Sequence, residues 1–177
     1  MNGGLDKGLV QVYTGDGKGK TTAAIGLAIR AIGRGFKVYI GQFMKTPGFG
    51  EHEALEKFSE HLRMEQFGSS GFHLDGGPSE EEKKEAKEGL NKIREAMLSG
   101  DFDIVIADEV CVAHHFELLN LDDLIGLIDD KPEDVELVLT GRKAPEDLID
   151  RADLVTEMKE VKHPYQEGIE ARKGIEL

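Results

Sequence analysis

The stretch TGDGKGKTT, Thr14 to Thr22, puts three glycines and two lysines into nine residues. The run before it, GLVQVYT (Gly8 to Thr14), is short, apolar and rich in β-branched residues, which predicts a strand. After it, Ala24, Leu27, Ala28 and Ala31 recur at spacings of three and four, which predicts a helix over 20–33. Strand, glycine loop and helix start in that order make an anion site. The glycines let backbone N–H groups converge, and the helix N-terminus adds its dipole. In the pattern G-x-x-x-x-G-K-[ST] the lysine meets the terminal phosphates of a nucleotide and the hydroxyl meets Mg²⁺. Lys20 and Thr21 take those places here, and Lys18 is a second cation in the loop. The match is offset: the first glycine of the pattern falls on Thr14, and the glycine stands one place later, at Gly15.

Working outward, FKVYIGQF (36–43) predicts a second strand, EHEALEKFSEHL a short helix, and LRMEQF (62–67) a third strand. A link rich in turn formers, GSSGFHLDGGP, runs from Gly68 to Pro78. Ser79 with Glu82 forms a capping-box pattern for a helix whose apolar stripe is Leu90, Ile93 and Met97, with Glu80 and Lys84 as an i,i+4 pair. FDIVIADE (102–109) and VELVLTG (135–141) are nearly continuous apolar runs, as buried parallel strands are. A helix around 121–128, a short one in APEDLIDRA and a last strand in LVTEMKEV complete the order, and the closing segment from Lys162 wraps the surface. Strands alternating with helices predict an α/β fold: a mostly parallel sheet covered by helices on both faces, with right-handed crossovers.

The chain has 177 residues and 39% hydrophobic content, which suits one domain over 1–177 with a substantial core. Lys+Arg 22 against Asp+Glu 35 gives a net charge of -13, which repels a nucleic-acid backbone. The sequence contains no apolar run long enough to span a bilayer, and its first residues have no secretory pattern, so a cytoplasmic protein is expected. A single cysteine, Cys111, excludes an internal disulfide framework and a multi-cysteine zinc site.

Asp108 and Glu109 end a buried strand, where ligands of parallel sheets bind. Either acid is placed to hold Mg²⁺, directly or through water, and the alternative is capping of the next helix. Arg142, in the turn LTGRKAPEDL, suits a phosphate or ribose contact or a surface salt bridge. Arg30, ten residues into the first helix, is a ligand contact or, more plainly, an ion-pairing side chain. Phe72, in the glycine-flanked GSSGFHL, reads as core or as a cover over a ligand, core being the commoner use. His114 and His115 are adjacent and so form no i,i+4 metal pair; they, His163 before Pro164, and Cys111 read as structural. No G-x-S-x-G elbow or kinase H-R-D set marks a protein nucleophile, so a substrate would have to supply its own.

The combination of VYTGDGKGKTTAAIGLAIRAIGRG, IGQFMK, the GF of the middle loop, VIADE, LTGR and the tail ADLVTEMKEVKHPYQEGIEARKGIE resembles the CobA/CobO/BtuR-type corrinoid adenosyltransferases from Gly8 onward. That resemblance implies a P-loop NTPase-like (RecA-like) fold over the whole chain. It also implies transfer of the 5′-deoxyadenosyl group of ATP to the Co(I) of a reduced corrinoid, with release of inorganic triphosphate. Mg²⁺ with ATP, a homodimer and a flavoprotein electron donor come with it, as does ATP held in the opposite sense to ordinary P-loop NTPases. The offset glycine would then reflect that different hold.

By the same resemblance Thr14 to Thr22 are the nucleotide stretch, with Gly15, Gly17, Lys18, Gly19, Lys20, Thr21 and Thr22 the triphosphate cradle and Asp16 between them. Arg30 and Arg142 join the nucleotide contacts, and Thr21, Glu109 and Asp108 are the Mg²⁺ candidates. Phe72 matches a phenylalanine that faces the corrinoid, where it keeps a lower ligand off cobalt and eases reduction to Co(I). Lys20 and Phe72 thus carry the catalytic expectation. Two features depart from the pattern: Leu74 stands where some relatives carry tryptophan, and the segment before the first strand is short.

Overall fold

The computed structural model describes residues 4–45, 50–68 and 77–175. Phe72 and Leu74 lie outside the described residues. Six strands, β1 (Val10–Thr14), β2 (Val38–Phe43), β3 (Leu62–Phe67), β4 (Ile104–Asp108), β5 (Glu136–Thr140) and β6 (Leu154–Glu157), form one sheet. Their order is β3-β2-β4-β5-β1-β6, and every pairing is parallel. The carboxyl ends of all six strands therefore share one edge of the sheet.

Helices cover the two faces, as the alternation of elements requires. On one face lie α1 (Lys20–Ile32) and α2 (Gly50–Leu55), which bury Ala24, Ala28 and Leu55 against Val38, Ile40, Ile104, Ile106 and Val138. The other face carries α3 (Glu80–Leu98), α4 (Val110–His115), α5 (Leu121–Asp129) and α6 (Glu146–Arg151). Their Leu90, Ile93, Met97, Leu124 and Leu148 close on Tyr39, Phe43, Phe67 and Leu137. Cys111 is wholly buried here, and burial pushes its thiol up to about 12, in keeping with an inert core residue.

Local signals and long-range packing agree at α3. Ser79 accepts from the Glu82 N–H at 3.2 Å while the Glu82 carboxylate accepts from the Ser79 N–H at 2.7 Å, a complete capping box. The same reciprocal cap starts α5, between Asn120 and Asp123. One expectation is corrected: Glu80 pairs with Lys83 at 2.9 Å, and Lys84 turns to Glu88 at 3.8 Å. Both spacings put the partners on one helix side, so the two pairings compete on nearly equal terms.

One departure concerns the last part of the chain. All four residues of β6 are exposed, so no helix covers this edge strand. The closing segment does lie on the surface, with one 3-10 turn at Pro164–Glu167.

Close approach of α3 to the sheet depends on a missing side chain. A Cβ at Gly89 would sit 2.4 Å from Cγ of Phe67, whose ring also meets that of Phe43 at a centroid distance of 5.5 Å. Gly89→Ala should therefore lower stability by about 1–3 kcal/mol through overpacking, despite the better helix propensity of alanine. Urea unfolding with an unchanged m value checks this.

Candidate active site

Five polar or charged side chains are buried among the described residues: Thr14, Lys20, Gln42, Asp108 and Thr140. All five stand at the carboxyl edge of the sheet, at the ends of β1, β2, β4 and β5 or on the first turn of α1. Burying polar groups costs free energy unless each is hydrogen-bonded, so their gathering here marks the working end of the molecule.

Asp108 is the hub. Its Oδ1 accepts from the Thr140 hydroxyl at 2.7 Å and from Thr21 at 3.0 Å, and its Oδ2 accepts from Gln42 Nε2 at 2.9 Å. Lys45 Nζ lies 3.5 Å from the same oxygen and 3.4 Å from Glu51. Thr21 reaches Asp108 because α1 leaves β1 and crosses the face of β5 and β4.

The loop itself is built around Lys20. Its ammonium donates to the carbonyls of Gly15 and Gly17, both at 2.7 Å, which leaves one of its three N–H groups for a ligand. Burial is the main influence on this lysine and lowers its pKa, with Glu109 acting in the opposite direction. The helix that follows has Gly19 at its N-cap and no capping side chain. Since α3 and α5 carry complete capping boxes, the bare start of α1 leaves backbone donors for an anion.

Gly15 is required for two reasons. Its φ is +94°, and a Cβ there would meet the Met158 carbonyl oxygen at 2.4 Å. Met158 follows β6, and its N–H donates to the Thr14 carbonyl at 2.8 Å while its own carbonyl accepts from the Gly17 N–H at 2.7 Å. The chain leaving β6 is thus pinned along the outside of the loop.

Glu109 takes a left-handed backbone, φ 61°, at the start of α4, and its N–H donates to the Thr140 hydroxyl at 2.9 Å. Such a conformation is uncommon outside glycine and concentrates where function holds it. Burial raises the Glu109 pKa first and the neighbouring Asp108 carboxylate second, against the lowering influence of Lys45, Lys20 and Arg142.

These groups surround a cleft of about 520 Å³, lined on the loop side by the stretch from Gly17 to Thr22 and elsewhere by Lys45, Glu51, Glu109 and Arg142. Arg142 is exposed at the mouth and makes no salt bridge among the described residues. Other expected contacts fall outside the lining. The Thr14 hydroxyl accepts from the Ala144 N–H at 3.2 Å, Gly15 serves through its carbonyl, and Asp16 points to solvent. Arg30 is exposed in the last turn of α1, about 15 Å along the axis from Lys20, and its charge acts on the Tyr13 phenol. His114 binds the Leu119 carbonyl at 3.1 Å, a structural use. His163 was expected to be structural too, yet it also lines the cleft.

Sequence reading passed over Gln42, Lys45, Glu51 and Thr140. The available signal was position: Gln42 and Thr140 are polar residues near the ends of strands otherwise apolar. Thr21, Asp108 and Glu109 present hydroxyl and carboxylate oxygens, the hard donors that suit Mg²⁺. Among the described residues no three His, Cys, Asp or Glu side chains are arranged to hold a metal. A cation here would take one or two protein oxygens and complete its shell from ligand and water, the usual Mg²⁺ arrangement.

The raised Glu109 pKa sets a pH dependence. An ionised Glu109 costs the native state free energy, so stability is full below the ordinary value of 4.5 and falls as pH rises through the folded value. Ligand-free Glu109→Gln should melt above the parent protein near about pH 7.5, with the gap closing toward about pH 4. Thermal melts across that range read this directly.

A model of the family "ATP:corrinoid adenosyltransferase BtuR/CobO/CobP" matches residues 6–177. A corrinoid adenosyltransferase of Sinorhizobium sp is 36% identical over 175 residues, covering 97% of this chain and 81% of the relative. That of Escherichia coli K12 is 33% identical over 172 residues, covering 97% and 86%. Corrinoid adenosyltransferase CobA of Salmonella typhimurium is 32% identical, with the same coverage.

Proposed function

The chain belongs to the ATP:corrinoid adenosyltransferase family, and on that footing we propose that its cleft holds ATP by the triphosphate and presents C5′ of the ribose to a reduced corrinoid. It is a corrinoid adenosyltransferase, an enzyme of cobalamin biosynthesis or salvage. The observation that carries the site reading is the loop around Lys20 facing the Asp108 hub across one cleft.

The Co(I) of the corrinoid is the nucleophile: its electron pair forms the Co–C5′ bond as the C5′–O bond breaks and triphosphate leaves. No protein base is needed, because no proton moves in that step. The protein's part is alignment of the two reacting atoms and stabilisation of charge on the leaving group. Lys20, Lys18, the Lys18–Thr22 amides and Arg142 supply positive ends for the triphosphate. Thr21, Asp108 and Glu109 would hold Mg²⁺, which neutralises phosphate charge when bound with ATP. Gln42 and Thr140 keep Asp108 aimed by hydrogen bonding. On the sequence resemblance alone, Phe72 excludes a lower ligand from cobalt.

The same resemblance supports one functional domain over the chain, a homodimer, a flavoprotein electron donor and a cytoplasmic setting. Among the described residues no helix is long and apolar enough to cross a membrane.

Anaerobic incubation with ATP, Mg²⁺ and cob(I)alamin should give light-sensitive adenosylcobalamin and triphosphate in equal amounts; ADP and phosphate without a cobalt–carbon product would overturn the reading. Lys20→Ala should cut kcat/KM by about 10²-fold or more, the scale of losing one transition-state donor. Steady-state kinetics on the folded variant would show a near-parental rate if the loop has no such role.

A further inference from the structure

The cleft has a third wall that the nucleotide loop does not supply. His163, Gly174 and Ile175, all from the closing segment, line it together with Gly17 to Thr22. Both ends of this segment are held by neighbouring residues of the loop. At its start the Met158 carbonyl accepts from the Gly17 N–H at 2.7 Å, and at its end the Ile175 carbonyl accepts from Lys18 Nζ at 3.0 Å. The segment is therefore tied to the loop as a strap, and both line the cleft.

Within residues 159–175 every residue is exposed except His163, which is half-buried. Its Nδ1 accepts from the Tyr165 N–H at 3.2 Å and so starts the 3-10 turn. A neutral imidazole that accepts at Nδ1 carries its proton on Nε2, which makes Nε2 a donor. That donor has no protein partner among the described residues, while Lys18, Lys20 and Arg142 make the same cleft receptive to anions.

We propose that His163 is a ligand-binding residue of the nucleotide site, its Nε2–H donating from the closing segment to a phosphate oxygen. This rests on the reading of the cleft as the ATP site. It assigns to the closing segment a direct part in holding triphosphate, beyond covering the surface.

Two substitutions separate binding from capping. His163→Asn keeps an acceptor near the Nδ1 position, and asparagine is a good cap, but it removes the Nε2 donor. His163→Gln reaches about as far as Nε2 with its amide N–H and gives up the cap. A merely structural histidine makes Asn the benign change and Gln the harmful one; a phosphate contact reverses that order.

Calorimetric titration with MgATP, and separately with inorganic triphosphate, reads the order on proteins shown by thermal melts to be folded. We expect His163→Asn to weaken both ligands by about tenfold to a hundredfold, the scale of a hydrogen bond to a charged group, and His163→Gln to recover most of that loss. Parental affinity in His163→Asn would overturn the proposal, and so would a loss for MgATP with triphosphate unaffected. Failure of the parent protein itself to bind MgATP would instead remove the nucleotide reading on which the proposal stands.

Discussion

The Asp108 carboxylate, 1% exposed, accepts hydrogen bonds from α1, β2 and β5 while it sits at the end of β4. A buried polar group is costly unless it is hydrogen-bonded. Three donors and the ammonium of Lys45 at 3.5 Å offset that cost. Each donor comes from a different element, so the carboxylate stays satisfied only when strand order and helix crossing are both right. The geometry of the cleft and the integrity of the sheet edge are in this sense one condition. Thr140 extends the condition to Glu109, because its hydroxyl donates to Asp108 and accepts from the Glu109 N–H.

Around this hub the loop has little freedom. Its lysine is bound inward to two loop carbonyls, and its outer side lies against Met158. The offset of the first glycine has a local cause in this packing. The residue with positive φ and no room for a Cβ is Gly15, whereas Thr14 remains in β1 and binds Met158 and Ala144 through its backbone and hydroxyl. A chain that follows the loop this closely selects glycine at the point of nearest approach.

Much of the architecture was legible because its signals are local. All six strands and the long helices announce themselves by apolar runs, by three-and-four spacing, and by Ser79–Glu82 as a cap. The loop, Lys20, Thr21 and the Asp108–Glu109 pair were also legible, since a strand end is a position that sequence can identify. Gln42 and Thr140 were not: their roles exist only because β2 and β5 flank β4, and adjacency of strands is not written in any one segment. Lys45 and Glu51 depend on the same adjacency. His163 was read as structural, since it lies far along the chain from the loop and reaches the cleft only through the path taken after β6. Arg30 is the converse case: helical spacing is easy to count, and it sets Arg30 about 15 Å along the axis from Lys20, outside the cleft lining.

The exposed strand β6 gives the site an unexpected weak point. It buries none of its four residues, yet the chain leaving it holds Thr14 and Gly17 in place. Elements with little buried apolar surface open first in local unfolding, at a fraction of the global free energy. The order of the phosphate loop is then capped by the opening free energy of its least protected neighbour, not by the stability of the core. A ligand seated in the cleft would be linked to that equilibrium, so that the edge of the sheet and the occupancy of the site are two readings of the same thermodynamic quantity.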